Sequence, residues 1–139
     1  LRSPWKNSQQ ELLWSWPISD KAEGRRNPQG AASDRVKAET KVQIVRSNQY
    51  FTEAYFELLT GRQHQIRKHC ALAAHPIVGD ARYNEEKYNL NIQKFYKNNR
   101  MLLHAEKLTF NFKNKNFSYE KKLSLDAFFN PKSETQSTN

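Results

Sequence analysis

An α+β domain with a largely antiparallel, mixed sheet and a few helices is the fold class predicted for these 139 residues, and three observations predict it. Val36, Ala38, Thr40, Val42 and Ile44 alternate with Lys37, Glu39, Lys41 and Gln43, the period-two pattern of a strand with one buried face. Ala54, Phe56 and Leu58 repeat that alternation after the turn-forming Ser47-Asn48-Gln49. The second stretch runs directly into TGRQHQIRKHC (residues 60–70), which has helical rather than strand periodicity. The predicted order of strand, loop, hairpin, helix and hairpin favours this class over an alternating parallel one.

In chain order, residues 11–18, ELLWSWPI, read as a short strand near a sheet edge that stops at Pro17. Residues 19–35 bring in two Gly, one Pro and four Arg or Lys among Asp and Ser, the composition of a surface connection. Residues 36–59 then form the antiparallel hairpin. Thr60 and Gln63 match a capping box, in which the hydroxyl accepts an amide hydrogen bond and the amide side chain reaches back; a helix is therefore expected from about Gly61. At about 100° per residue its packed face would hold Ile66, Cys70 and Ala73, with Arg62 at the margin and His64 and Lys68 pointing away. The helix should end before His75-Pro76, since a residue preceding proline is pushed out of the helical region. HPIVGD (75–80) reads as a connector ending in a Gly-Asp turn, and the polar, Asn-rich residues 84–100 as an excursion or a short helix. Met101 to Phe112 predict a strand, Lys113 to Asn116 its turn, and Phe117 to Leu125 the returning strand, with Phe110, Phe112 and Phe117 as core residues. The small polar stretch PKSETQSTN (131–139) predicts a disordered tail after a single domain over 1–130.

Composition narrows the partner. The chain carries 23 Lys and Arg against 14 Asp and Glu, a net charge of +9, and a field of that size attracts phosphates and releases their counterions. Nucleic acid is the first expectation. No apolar run approaches the ~20 residues that a spanning helix requires, and no long basic amphipathic helix is present, so no membrane partner is expected. One cysteine, Cys70, excludes an internal disulfide framework and a multi-thiolate zinc site, which fits a reducing, cytoplasmic compartment.

The basic cluster in TGRQHQIRKHC is the candidate site. A solvated helix face would place cations late, because those in the first turns oppose the positive end of the macrodipole by a few tenths of a kcal/mol each. The free amides at that end favour an anion. Arg62, at the edge of the apolar face, directs a guanidinium toward packed structure and needs a carboxylate or phosphate that no neighbour in sequence supplies. His64, His69, Cys70 and His75 do not share the same-face spacing of metal ligands, so no metal site is expected. Aromatic and basic residues interleave in YNLNIQKFYKNNR and FNFKNKNFSYEKK, a composition that stacks bases between phosphate contacts, and Tyr88 and Tyr96 stay open to that role.

ELLTGRQHQIRKHCALAAHPIVGD, followed by RMLLHAEKLTF, resembles the RluA-type RNA pseudouridine synthases, whose C-terminal half carries L-x-TGR-x-HQ-[IL]-R-x-H, then HPI-x-GD, then LLHA. The three motifs occur in order, most clearly from Glu57 to Phe112; WPI and the Ala38-Glu39-Thr40 stretch agree upstream. The resemblance implies a pseudouridine-synthase-like fold and an enzyme that isomerises uridine in ribosomal or transfer RNA without cofactor or metal. It implies that Arg62 pairs with an essential aspartate acting on a flipped-out uridine. It further implies Leu103 near the target base, and His64, Gln65, Arg67, Lys68 and Arg82 at the RNA.

The family's aspartate lies in an HRLD motif that these residues lack, since Asp20, Asp34, Asp80 and Asp126 stand in other contexts. The family's active-site tyrosine is not identifiable either. The expectation is therefore the C-terminal portion of a catalytic domain, an incomplete fold inactive alone, whose upstream part is its partner and is to be found by sequencing before Leu1. The alternatives are a non-catalytic RNA-binding module of the same fold and a general basic DNA-binding domain. Which RNA, which uridine and which oligomeric state are beyond the residues themselves.

Overall fold

The computed structural model describes residues 1–130, so the expected tail at 131–139 lies outside the described residues. The chain divides into two compact units, Leu1–Leu102 and the residues from Leu103 onward.

In the first unit β1 (Glu11–Trp14), β2 (Thr40–Ser47) and β3 (Thr52–Leu58) form an antiparallel sheet in that order, with β2 central. Thr40 pairs with both Trp14 and Leu58, and Val42 with Leu12 and Phe56. The predicted alternation is explicit in β2, where Thr40, Val42 and Ile44 are buried and Lys41 and Gln43 exposed. A register shift between Ile44 and Arg46 then leaves Val45 in solvent. The predicted hairpin is present, but its ladder begins at Thr40 rather than Val36. Val36 instead exchanges backbone hydrogen bonds with Ile18 of the preceding loop (2.9 and 3.0 Å). At the turn, the Asn48 side-chain oxygen accepts from the amides of Tyr50 and Phe51.

The helix that follows departs from its predicted start. α1 spans Gln65–Leu72, and His64 precedes it in the left-handed region (φ 56°, ψ 28°) with no side-chain cap. The capping box does not form. The Thr60 hydroxyl donates to the Gln65 side-chain oxygen (2.6 Å) and accepts from the Glu39 amide (2.9 Å), while the Gln63 amide donates to Asp20 (2.9 Å). Gln65 outcompetes Gln63 because its carboxamide is buried and finds four partners at once: it accepts from Thr60 and the Arg62 amide, and donates to the Glu39 carbonyl and the Thr40 hydroxyl. The packed face is correspondingly polar. Gln65, Lys68, His69 and Cys70 are buried, whereas Ile66 and Ala73, expected there, are only partly so. His69 spans two elements, with Nδ1 2.9 Å from the Thr40 hydroxyl and Nε2 2.9 Å from the Trp16 carbonyl oxygen.

After α1, Ile77 and Val78 enter the core, which also holds Trp14, Ile18, Val42, Ile44, Phe51, Cys70 and Tyr83. Gly79 is required where it stands: its φ is +84°, and a Cβ there would lie 2.2 Å from the Arg100 carbonyl oxygen. Residues 86–96 form the second helix, α2 (Glu86–Tyr96). Its Asn89 side chain accepts from the Gly79 amide (3.0 Å) and donates to the Asp80 carbonyl (2.9 Å), fixing α2 to the HPIVGD turn. Tyr88 is half-buried beneath the Arg2 guanidinium, and Tyr96 packs edge-on against Phe51.

The second unit holds the hairpin of β4 (Lys107–Phe112) and β5 (Lys115–Glu120), then the short α3 (Asp126–Phe129). Its turn residues, Lys113 and Asn114, both have positive φ (51° and 61°), as a two-residue hairpin of right-handed twist demands. The strands are shorter than the expected 101–112 and 117–125. Phe110 and Phe117 stack at 5.2 Å, yet Phe110 and Phe112 are exposed rather than core, because a two-stranded ribbon has no second layer of its own to cover that face.

Candidate functional site

The residues from Thr60 to Arg82 place three cationic or polar groups outward on a framework of buried polar contacts. The framework comes first. Arg67 reaches back to Asp80 through two hydrogen bonds, Nε to Oδ2 (2.9 Å) and Nη2 to Oδ1 (2.8 Å), and the Asp80 carboxylate is fully buried. Asp80 also accepts from the amides of Arg82 and Tyr83. Burial works to raise the Asp80 carboxyl, but the Arg67 guanidinium and those two amides outweigh it and hold the group below the usual carboxylate range. The same hydrogen bond raises Arg67.

Lys68 is fully buried and donates to the carbonyl oxygens of Ser19 (2.8 Å) and Lys21 (2.6 Å). Burial lowers its ammonium, opposed by the charges of Glu23 and Asp20. Lys68 therefore ties the 19–23 loop onto α1, and Gln63 adds a second tie through Asp20.

Three of the groups named from sequence face outward. Arg62 is half-buried and donates from Nε to the Lys37 carbonyl oxygen (2.9 Å). Among the described residues no carboxylate lies within ion-pair distance of it, which leaves both terminal nitrogens open. His64 sits 2.9 Å, through Nδ1, from the Tyr83 hydroxyl. That hydroxyl also accepts from the Glu23 amide (3.1 Å), so Tyr83 links His64 to the 19–23 loop. Burial first, then the charges of Arg67, Arg82 and Lys68, lowers His64, so the ring is neutral at physiological pH. Arg82 is exposed, with Nη1 on the Glu23 carbonyl oxygen (2.9 Å). Arg62 and Arg82 each keep guanidinium N–H groups beyond these single carbonyl contacts, donors suited to phosphate or carboxylate.

The other named residues lie elsewhere. Gln65, Arg67 and Lys68, expected at RNA, are spent on internal partners, because desolvating such groups is tolerable only when they are paired. Leu103 is half-buried and belongs to the second unit. Sequence reasoning missed Tyr83 and Glu23, which orient His64 and Arg82; the only local signal was the placement of Tyr83 three residues after Asp80. Among the described residues no three His, Cys, Asp or Glu side chains converge as metal ligands, and no helix is long and apolar enough to cross a membrane.

The architecture is that of a pseudouridine synthase domain: the structure of human RNA pseudouridylate synthase domain containing 1 superposes with a TM-score of 0.68 at 18% identity, covering 94% of this chain and 62% of that one. In sequence the chain is 34% identical over 98 residues to the tRNA pseudouridine synthase C of Vibrio parahaemolyticus, which takes in 67% of this chain and 40% of that protein. It is 41% identical over 73 residues to the ribosomal large subunit pseudouridine synthase C of Buchnera aphidicola subsp. Schizaphis graminum, 52% of this chain and 23% of that protein. The chain belongs to the RluA-type pseudouridine synthase family. It spans less than half the length of these curated relatives, and no protein-family model matches it.

Proposed function

We propose that these residues are the C-terminal, RNA-holding portion of an RNA pseudouridine synthase acting on transfer or ribosomal RNA in the cytoplasm, and that the catalytic aspartate comes from an HRLD-type segment outside them. The observation that carries the reading is Arg62, a half-buried guanidinium whose terminal nitrogens have no acceptor among the described residues. A charge so placed, and held by the buried Gln65 through its own backbone amide, is built to receive a carboxylate. In this reading Arg62 pairs with that aspartate, while the His64 ring and the Arg82 guanidinium bind the RNA backbone. Gln65, Arg67 and Lys68 hold the loop that presents them, and Leu103 contacts the target base. The reaction needs no cofactor or metal in this reading.

The test incubates the 139-residue chain with RNA carrying tritium at uridine C5, whose release reports isomerisation. The expected result is RNA binding without release; brisk release would overturn the assignment of the aspartate to another segment. In a longer protein that contains such a segment, Arg62→Gln should abolish release while leaving RNA affinity within a few-fold. Unchanged release would remove Arg62 from the active site.

A further inference from the structure

A groove of about 420 Å³ lies beyond the C-terminal end of α1, lined by Ser3, Trp5, Lys6, Asn7, Ala73 and His75. Arg62 and His64 precede the other end of that helix, whose eight residues separate the two places by ~12 Å at about 1.5 Å per residue. The groove is thus distinct from the site described above. Trp5 is half-exposed but held rigidly: its indole Nε1 donates to the Gln9 carbonyl oxygen (2.9 Å), its amide donates to the Ser47 hydroxyl (2.8 Å), and its ring lies 5.0 Å from that of His75. His75 donates from Nδ1 to the Arg2 carbonyl oxygen (3.0 Å), which fixes its ring beside Trp5. No carboxylate lines this groove. An adjoining groove of about 500 Å³, sharing Ser3, adds Arg2 and Arg25. Its one carboxylate, Glu85, is already paired with Arg2 at 2.8 Å. Lys6 and Arg25 are exposed and make no hydrogen bond or ion pair among the described residues, although Arg25 lies close enough to Glu85 to help hold that carboxyl below its ordinary value, after Arg2.

We propose that this surface is a nucleobase site: a single-stranded segment of RNA stacks one base on Trp5 and lays the neighbouring phosphates against Lys6 and Arg25. An aromatic face fixed before binding loses little freedom on complex formation, and every base offers a π-face to it. Cations flanking such a platform supply the phosphate contacts that single strands require. The volume accommodates a base and its ribose, in the range of small-ligand pockets. The proposal rests on the reading above only in taking RNA as the polyanion, and it adds a contact remote from the Arg62 loop.

Two measurements on the 139-residue chain separate the ideas. In the first, anisotropy of a labelled single-stranded 12-nucleotide RNA should show Trp5→Ala weakening binding about five-fold or more, Trp5→Phe retaining most of the affinity, and Lys6→Gln lowering the salt slope by about one. Unchanged affinity in Trp5→Ala and Lys6→Gln would overturn the site while leaving RNA binding at Arg62 intact. In the second, the Trp5 indole N–H resonance is followed during titration with uridine and adenosine monophosphates. A saturable shift supports the site even if the oligonucleotide binds no better than a mononucleotide, an outcome that would sink the RNA reading instead. No shift with either nucleotide or with the oligonucleotide overturns the site, whatever the stability of the variants.

Discussion

Arg67→Met is the sharpest test of the framework. The replacement keeps the unbranched stem and the packing over Tyr83, whose ring lies 5.1 Å from the guanidinium carbon, but deletes both hydrogen bonds to Asp80 (2.8 and 2.9 Å). Asp80 is fully buried and keeps only the amides of Arg82 and Tyr83, so the variant strands a partly satisfied charge in the interior. Breaking a buried pair from one side costs about 3–5 kcal/mol; the two remaining amide bonds and the 20% exposure of the Arg67 side chain argue for the lower end, ~3 kcal/mol. For a unit of this size that is a fall in Tm of more than about 10 °C. The pH dependence supplies the check on cause. The folded-state Asp80 carboxyl lies below its ordinary value, so its contribution is present above the unfolded value, about 3.9, and is lost as pH falls through the folded one. The gap between wild type and variant should therefore be full at pH 7 and shrink as pH falls, first where the stranded carboxylate of the variant takes up a proton and then down to the lowered folded-state value of the wild type. Urea unfolding followed by tryptophan fluorescence reads both. A loss under about 0.5 kcal/mol, or a loss equal at pH 7 and pH 3, would refute the reasoning.

Gln65→Leu removes a four-partner hub, leaves the Arg62 amide without its acceptor and leaves the Glu39 carbonyl with only the Leu59 amide, a cost of about 1–3 kcal/mol; hydrogen exchange at the Arg62 amide should accelerate, and an unchanged rate would deny Gln65 its role in shaping the loop. Gly79→Ala should lose about 2 kcal/mol or more in chemical denaturation, since it combines a positive φ with a clash on the Arg100 backbone; a neutral result would mean the turn can shift. His64 and His69 are both lowered, chiefly by burial, so the unfolded chain takes up protons first and stability should decline as pH falls below about 6.5. Imidazole titrations by NMR at or above that value would contradict the burial of both rings.

The sheet was legible because period two depends only on neighbours: Thr40, Val42 and Ile44 declare a face without reference to anything distant. The start of α1 was not. T-x-x-Q is a true capping pattern, but which glutamine reaches Thr60 depends on Glu39 and Thr40, about twenty-five residues upstream of Gln65. Lys68 misled for the same reason, since the carbonyls that make its burial tolerable, at Ser19 and Lys21, come from the other side of the hairpin in sequence. Polar residues on a helix read as solvent-facing until those acceptors are in place. In β4 and β5 the apolar character of the stretch marked strands correctly, but it says nothing about what lies over Phe110 and Phe112, which are exposed. For Arg62 the neighbours in sequence supply no carboxylate, and among the described residues none lies within ion-pair distance.

The Lys68 ammonium also makes the protein its own chronometer. Held against two carbonyl oxygens with no solvent exposure, it is hidden from an amine-acylating reagent as long as the 19–23 loop stays down. Once uncovered it is open to the reagent like any surface lysine, and where acylation outpaces reclosing the pace of its modification is the pace at which that loop lets go. Followed by mass spectrometry with and without RNA, this single lysine would time the opening of the ground on which Arg62 and His64 stand.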